Sequence, residues 1–363
     1  MRSLASVTDK MHKNIPIFIP HLGCPHQCVF CNQHSISGCV QFDERTVEAE
    51  IERALSTLAD GADAEIAFFG GSFTGIDRTL MCRLLDLAER YVGQGRVTGI
   101  RLSTRPDYID GEILSILSRY SVRTVELGLQ SMDDAVLGAS GRGHTAEQAR
   151  RACRAVVEAG FSLVGQMMIG LPASTLESEI KTAEEICELG AVAARIYPTV
   201  VFYKTPLCEM TARGDYIPLS VSEAAERSAQ VLSVLEERGV PCIRIGLCAS
   251  DGLTSPETVL AGPNHPALGE LVWNEYYYKR IRRAVEAAGL LGERIMLRVP
   301  RGETSKVVGQ RRKNLLRLSE ETGTAVGRVE AVLSHGEIEV CPFRPQAHPT
   351  NETNSQEEQL PCT

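Results

Sequence analysis

Three cysteines lie close together near the start of the chain, in the stretch HLGCPHQCVFC. Cys24, Cys28 and Cys31 have C-x₃-C-x₂-C spacing, so a single loop can turn all three thiols toward one centre. Thiolates are soft ligands that suit zinc and iron–sulfur clusters. A [4Fe–4S] cube takes one cysteine per iron, so three cysteines would leave one iron open to a substrate or cofactor. The spacing therefore favours a cluster with one open iron.

A structural zinc site is the alternative. Zinc normally takes four closed ligands, and the paired C-x₂-C knuckles of zinc proteins are absent here. A fourth zinc ligand would have to come from His21, His26, His34 or Cys39. The remaining cysteines are scattered, and several are predicted to be small buried hydrophobes on apolar helix faces, among them Cys82, Cys153 and Cys187.

Composition limits the class of protein. The chain has 363 residues and a net charge of −8, so no global basic field draws it to nucleic acid, and any such contact must come from a local patch. The N-terminal stretch lacks the apolar core of a signal peptide, and no apolar run approaches the ~18 residues of a membrane span. We therefore expect a cytoplasmic protein with reduced thiols and no membrane contact.

Short apolar runs alternate with amphipathic stretches over residues 15–250. The runs occupy 15–21, 65–70, 99–104, 124–130, 163–170, 194–201 and 242–248, and the intervening stretches have helical spacing. This alternation predicts an α/β fold of βαβ units, a partial (β/α)₆-type TIM-like barrel with parallel strands. The cysteine motif and the glycines of FFGGSF each follow a predicted strand directly, so both are expected at the carboxyl-end face, where such folds carry their chemistry.

The rest of the chain is predicted to form smaller pieces. Residues 1–14 are an N-terminal extension, and residues 251–290 form a connecting loop and a helix. Residues 291–343 are expected to fold as a small α+β unit of strand, helix, strand and strand. The tail, residues 344–363, has too little apolar content to fold.

The cysteine motif, with an aromatic residue just before the third cysteine, resembles the radical S-adenosylmethionine (SAM) superfamily. The stretches GGSF, LSTRPDYI, VELGLQSMDD, GRGHT and GQMMIGLP follow in the order of one branch of that superfamily. This branch holds the catalytic subunit of Elongator and, more distantly, oxygen-independent coproporphyrinogen oxidase. The resemblance implies a [4Fe–4S] cluster on Cys24, Cys28 and Cys31 whose open iron binds SAM, and reductive cleavage of SAM to a 5′-deoxyadenosyl radical.

The resemblance also implies which residues contact SAM. Phe30 would lie beside the adenine, and the glycine-rich turn after the second strand would meet the methionine moiety through Gly70, Gly71 and Ser72. The lack of side chains on the two glycines would permit that close approach.

Four further positions match ribose and carboxylate contacts of the family. Gln130 and Arg142 carry matching side chains. Ser103 and Gln166 stand where coproporphyrinogen oxidase carries Glu and Asp, and they can hydrogen-bond hydroxyl groups but bring no charge. A polar side chain buried in the barrel is the alternative role for Gln130 and Gln166.

The small C-terminal unit resembles a KH module, in which a GXXG loop between two helices clamps a nucleic-acid backbone. Here the loop reads GQRR, so the second glycine is missing. A basic cluster that can meet phosphates surrounds the loop and consists of Lys306, Arg311, Arg312, Lys313 and Arg317. A solvated amphipathic helix is the alternative interpretation of this cluster.

The sequence therefore predicts a radical SAM enzyme that modifies RNA, and tRNA in particular, with an external electron donor of the flavodoxin or ferredoxin type. Elongator subunits carry a C-terminal acetyltransferase domain and act on the wobble uridine, but nothing in residues 251–363 resembles that domain, so the same uridine chemistry is not implied. Two alternatives are a radical SAM enzyme acting on a small metabolite such as a tetrapyrrole, and a non-catalytic protein that binds zinc or a cluster.

Overall fold

The computed structural model describes residues 13–19, 22–24, 28–31, 42–59, 62–247 and 257–344. The chain divides into two compact units, Met1–Tyr276 and Tyr277–Thr363. The alternative zinc ligands His21, His26, His34 and Cys39 lie outside the described residues, as do the first twelve residues and the tail after residue 344.

Seven parallel strands form one curled sheet in the first unit, with the order β1-β2-β3-β4-β5-β6-β8. Each strand pairs with the next one in the chain, apart from β8, which pairs with β6. The bounds are β1 Lys13–Ile19, β2 Ala64–Gly70, β3 Val97–Thr104, β4 Val122–Gln130, β5 Ser162–Ile169, β6 Ala193–Pro198 and β8 Cys242–Ile245. The predicted partial TIM-like barrel is confirmed.

Helices connect these strands and cover one face of the sheet. Three of them begin with a capping box, in which the N-cap hydroxyl and the N3 side chain each satisfy a backbone N–H of the first turn, at Thr145, Thr175 and Ser220. The helices are α1 Val47–Thr57, α2 Arg78–Glu89, α3 Gly111–Leu117, α4 Asp134–Ala139, α5 Ala146–Glu158, α6 Leu176–Glu188, α7 Pro206–Arg213, α8 Val221–Glu237 and α9 Leu268–Ala287.

The other face of the sheet carries charged residues. The Glu65 carboxylate accepts from Arg101 at 2.9 Å and from the Thr124 hydroxyl at 3.0 Å. Arg195 on β6 lies 3.0 Å from Glu126 on β4. Arg195 also pairs with Gln166 of β5 in the sheet, so the side chains of Arg195 and Gln166 lie on the same face as Glu126. This face therefore carries buried, paired charges, which are unusual in a packed core.

A two-stranded antiparallel sheet was not predicted. Its strands are β7, Val201–Phe202, and β9, Val259–Ala261. The sequence predicts one strand over 194–201, whereas β6 ends at Pro198. Proline has no N–H to donate, which suits it to a strand end.

The second unit contains strand β10 Arg294–Pro300, helices α10 Thr304–Val308 and α11 Lys313–Thr322, and strands β11 Ala325–Leu333 and β12 Glu339–Pro342. The strand β10 lies between β11, which is parallel to it, and β12, which is antiparallel. The elements occur in the predicted order. Among the described residues, no helix is both long enough and apolar enough to cross a bilayer.

Candidate functional site

The cysteine loop follows β1 directly. Cys31 N–H donates to Cys28 O at 3.0 Å, which closes a turn that carries both thiols. The Cys28 side chain is buried, and Cys24 and Cys31 are partly exposed. Within the described part of the chain, no group of three or more His, Cys, Asp or Glu side chains is arranged to hold a metal ion. The assignment of the three cysteines as ligands stays a prediction.

A glycine-rich turn after β2 interlocks with the cysteine loop. Gly71 N–H donates to Ile19 O at 2.9 Å, and Ser72 N–H donates to Leu22 O at 3.1 Å. A Cβ at Gly71 would lie 2.2 Å from Leu22 O, and a Cβ at Gly23, whose φ is +73°, would lie 2.2 Å from Ser72 O. No side chain fits at these positions, so the two loops can pack only through bare backbone.

Buried hydroxyl groups tie this turn to the end of β3. Thr104 Oγ1 lies 2.9 Å from Ser72 Oγ and 2.6 Å from Thr74 Oγ1. Arg105 N–H donates to Ser72 Oγ at 3.0 Å, and the Thr74 hydroxyl donates to Tyr108 O at 2.8 Å. The ends of β1, β2 and β3 are therefore held together around the cysteine loop.

Two arginines approach the buried thiol of Cys28. Arg142 Nη1 lies 3.3 Å from Cys28 Sγ, and Arg142 Nη2 donates to Gly128 O at 2.5 Å. Arg105 Nη1 lies 3.9 Å from the same sulfur. Arg105 is fixed by Asp107, to which Nε and Nη2 each donate at 2.9 Å, and by the carbonyl oxygen of Arg142. The sulfur of Cys28 therefore faces two positive charges.

The surroundings of this sulfur shift the pKa values of Arg105 and His144 in opposite directions. Burial alone would lower the pKa of Arg105, but the hydrogen bonds and charge of Asp107 raise it, and Cys28 and Cys24 add to that effect. Burial, together with the charge of Arg142, lowers the pKa of His144 to about 4. His144 is therefore neutral near pH 7, and its Nδ1 lies 3.9 Å from Asp107.

The structure brings Gln130 and Gln166 together. Gln166 Nε2 donates to Gln130 Oε1 at 3.4 Å, and Gln130 ends β4 with a φ of +67°. Left-handed backbone is costly for a residue other than glycine and is found often at functional sites. Ser103 lies beside Glu126, whose pKa is raised by burial, while Arg195 and Arg101 oppose that rise. These placements leave the predicted SAM contacts of Gln130, Gln166, Ser103 and Arg142 untested.

Phe30 and Val29 pack against a buried apolar cluster made of Val201, Leu207 and Tyr216. Val29 N–H donates to Ser140 O at 3.1 Å, and Leu207 N–H donates to Val29 O at 2.9 Å. The turn that carries Cys28 and Cys31 is thus also held by backbone hydrogen bonds to Ser140 and Leu207. The contact of Phe30 with adenine stays a prediction.

The basic cluster of the second unit separates into two groups. Lys306 lies 3.1 Å from Glu303, and Arg317 lies 2.7 Å from Glu321 and stacks over the Tyr278 ring. The second group is exposed, and within the described residues it has no ion-pair partner; it consists of Arg311, Arg312 and Lys313. Only this second group, which we call the basic loop, offers unneutralised charge to an anion.

Sequence reasoning missed the residues that support the site. Thr104, Arg105 and Asp107 lie in the stretch LSTRPDYI and directly follow a predicted strand, so their position was a usable signal. Thr74 comes soon after Gly71 in the turn that follows β2, so its position after a predicted strand was also a usable signal. Glu126 and Arg195 gave no such signal, because a charged residue inside a predicted strand does not show on its own which face it occupies.

Comparisons with protein families agree with the fold. The profile of the radical SAM superfamily matches residues 18–186, and that of the radical SAM C-terminal domain matches residues 192–278. The chain belongs to the radical SAM superfamily and is an enzyme of that class.

Within the superfamily, the chain is similar to archaeal Elongator-type proteins. It is 26% identical to an uncharacterised protein of Methanocaldococcus jannaschii over 69% of this chain and 78% of the relative. It is 30% identical to the tRNA uridine(34) acetyltransferase of the same organism over 56% of this chain, and it spans only 36% of that protein. The solved Methanocaldococcus infernus Elp3, with an N-terminal deletion, shares the fold with a TM-score of 0.56 at 22% identity, covering 77% of this chain and 63% of Elp3.

The donor chemistry of the site fits an iron–sulfur cluster. Three thiols follow one strand end, and one of them is buried beside two guanidinium groups that would offset the negative charge of a thiolate-bound cluster. The backbone cradle formed by the glycines leaves no side chain between the cysteine loop and the turn after β2.

Proposed function

We propose that the protein binds a [4Fe–4S] cluster through Cys24, Cys28 and Cys31 and cleaves SAM reductively. The observation that carries the proposal is the interlock of the cysteine loop with the glycine turn at Gly71. It holds the start of the cysteine loop at the carboxyl-end face of a half-barrel whose family uses that loop for the cluster. When both are bound, the cluster and SAM supply a 5′-deoxyadenosyl radical. A ferredoxin or flavodoxin would be the electron donor.

The residues of the chain then have positioning roles. The paired amides of Gln130 and Gln166 offer a donor and acceptor surface for ribose hydroxyls on the polar face of the sheet. The methionine amino group would meet backbone carbonyl groups of the turn after β2, since the N–H groups of Gly71 and Ser72 already donate to Ile19 O and Leu22 O. The buried hydroxyls of Thr74 and Thr104 keep that turn in place.

Loss of one thiol should abolish the chemistry without unfolding the protein. After anaerobic reconstitution with iron and sulfide, we expect about four irons per chain and release of 5′-deoxyadenosine from SAM on addition of dithionite. Cys28→Ala should lose the deoxyadenosine because the cluster loses a ligand. Cys153→Ala is the control, since Cys153 is also buried but lies on α5. Bound zinc without deoxyadenosine in the wild-type protein would contradict the proposal.

We further propose that the substrate is RNA, with tRNA as the class. Two observations support this step: the basic loop is exposed and unneutralised, and one relative is named as a tRNA-modifying enzyme. Arg311 and Arg312 both have positive φ and lie at the start of α11. Their guanidinium groups suit phosphate oxygens, which accept hydrogen bonds from the planar fork.

Reversal of charge in the basic loop should weaken RNA binding. For Arg311→Glu/Arg312→Glu, we expect at least about a tenfold loss of tRNA affinity in filter binding at low salt. The slope of log affinity against log salt should also become shallower by about 1–2, since two phosphate contacts are lost. The control is Arg282→Glu/Arg283→Glu, which makes the same change in net charge at two exposed positions on α9. Equal losses in both variants would argue against a specific contact.

A further inference from the structure

Arg105 is held by several contacts near the cysteine loop. It is 4% exposed, and four of its contacts are to groups from three different segments. Asp107 accepts two hydrogen bonds from it, the carbonyl oxygen of Arg142 accepts a third, and Cys28 Sγ lies 3.9 Å from Nη1. A guanidinium held by a bidentate carboxylate cannot swing away from the sulfur without breaking that pair.

Arg142 is the second arginine that approaches this sulfur. Its Nη1 lies 3.3 Å from Cys28 Sγ, while its Nη2 is fixed by Gly128 O. The two arginines are linked, because Arg105 donates to the backbone carbonyl of Arg142. Cys28 Sγ therefore lies near two guanidinium groups, at 3.3 and 3.9 Å, whose orientations are set by other parts of the first unit.

Charge and hydrogen bonds at a cluster sulfur act on reduction. Uptake of one electron from a reductant makes the cluster more negative by one charge, and no bond or proton needs to move. Cations and N–H donors at the ligand sulfurs stabilise the more negative state, and burial strengthens the effect because screening by water is weak. Two buried guanidinium groups on one ligand sulfur therefore favour the reduced form.

We propose that Arg105, anchored by Asp107 and assisted by Arg142, is a positioning residue that raises the reduction potential of the cluster bound at Cys28. The inference rests on the proposed function, since it takes Cys28 as a cluster ligand. It assigns to the Arg-Pro-Asp segment after β3 a role in setting how easily the cluster accepts its electron. Asp107 acts through Arg105 by fixing the direction of its N–H groups.

The test is a redox titration of the reconstituted protein without SAM, with the reduced cluster followed by its electron paramagnetic resonance signal. At the wild-type midpoint potential, half of the cluster is reduced by definition. In Arg105→Gln, we expect the ratio of reduced to oxidised cluster at that potential to fall at least about tenfold, which is about 59 mV for one electron. Arg105→Lys, which keeps the charge, should recover part of the shift, and Asp107→Asn should show a smaller shift in the same direction.

The control is Arg150→Gln. Arg150 also makes a two-point pair with a carboxylate, Glu185 at 2.7 and 3.0 Å, but this pair joins helices α5 and α6 on the outside of the sheet. It should leave the midpoint potential unchanged. Iron content is measured for every variant, so that loss of the cluster is not read as a change of potential.

Three outcomes separate the two proposals. Full iron content with an unchanged potential in Arg105→Gln and Arg105→Lys would overturn the inference and leave the proposed function intact. Failure of Arg105→Gln, Arg105→Lys and Asp107→Asn all to bind iron would also overturn it, since the segment would then serve assembly alone. A wild-type protein that assembles no cluster would remove the proposed function itself.

Discussion

Gly71→Ala should abolish iron binding, although it adds only one methyl group. The new Cβ would lie 2.2 Å from Leu22 O, far inside van der Waals contact, and the atom it meets is backbone that cannot rotate away. The cysteine loop would have to separate from the turn after β2, which breaks the Ser72 N–H to Leu22 O hydrogen bond. Overpacking of this kind costs about 1–3 kcal/mol, and here the displaced backbone leads directly to Cys24.

The measurement is iron per chain after anaerobic reconstitution, with circular dichroism and thermal unfolding in parallel. Gly138→Ala is the matched control, because a Cβ there meets no atom within 4 Å and the residue lies in α4. That variant should bind iron like the wild-type protein and unfold at the same temperature or slightly above it. Normal iron content in Gly71→Ala would show that the interlock of the two loops is unnecessary for the metal site.

Arg227→Met should destabilise the first unit by about 3–5 kcal/mol, as expected when one partner of a buried ion pair is removed. Arg227 donates to Glu179 through Nε at 2.8 Å and Nη2 at 2.6 Å, and the carboxylate is nearly inaccessible. Glu179 also accepts from Gly170 N–H at 2.7 Å, at the end of β5. Without the arginine, a buried carboxylate would be left with its charge uncompensated.

The destabilisation should depend on pH with a definite sign. Burial raises the pKa of Glu179 above its usual value of 4.5, while Gly170 N–H and Arg227 oppose the rise. Without Arg227 the pKa should be higher still, so the folded variant binds a proton that the unfolded chain releases. The variant therefore loses stability as pH rises from about 4.5 through its folded-state pKa, and its deficit relative to wild type should shrink on acidification.

Urea unfolding at pH 8 and at pH 5.5 measures both effects. The control is Arg150→Met, which breaks the more exposed Arg150–Glu185 pair and should cost no more than about 1 kcal/mol. A deficit in Arg227→Met that does not change with pH would mean that Glu179 is already protonated in the wild-type protein.

The sheet could be predicted from the sequence because its strands are short β-branched or apolar runs separated by helical spacing. Phe68, for example, is fully buried within the run EIAFFG, which contains a single charged residue. The prediction was weaker where structure depends on contacts between distant segments. Strand β7 has only two residues and pairs with β9, more than fifty positions later, and no local pattern marks such a pair.

At the site, too, local sequence patterns were informative and contacts between distant segments were not. The three cysteines and the glycine pair were found from spacing and position after strands. The reason for the glycines differs in part from the sequence-based one, since at Gly71 the atom that excludes a side chain belongs to the cysteine loop itself. The role of the basic cluster stays a prediction, and composition could not show that Glu303 and Glu321 pair with Lys306 and Arg317.

The left-handed backbone of the basic loop suggests a way to raise the thermal stability of the second unit. Arg311 and Arg312 have φ values of +51° and +63°, where an L-residue costs roughly 1–2 kcal/mol and glycine almost nothing. An engineer seeking a more heat-resistant protein would place glycine at position 312 and regain the loop pattern of KH modules. If the proposed RNA contact holds, that gain would come with weaker binding, so thermal tolerance and substrate affinity would be in competition at one residue.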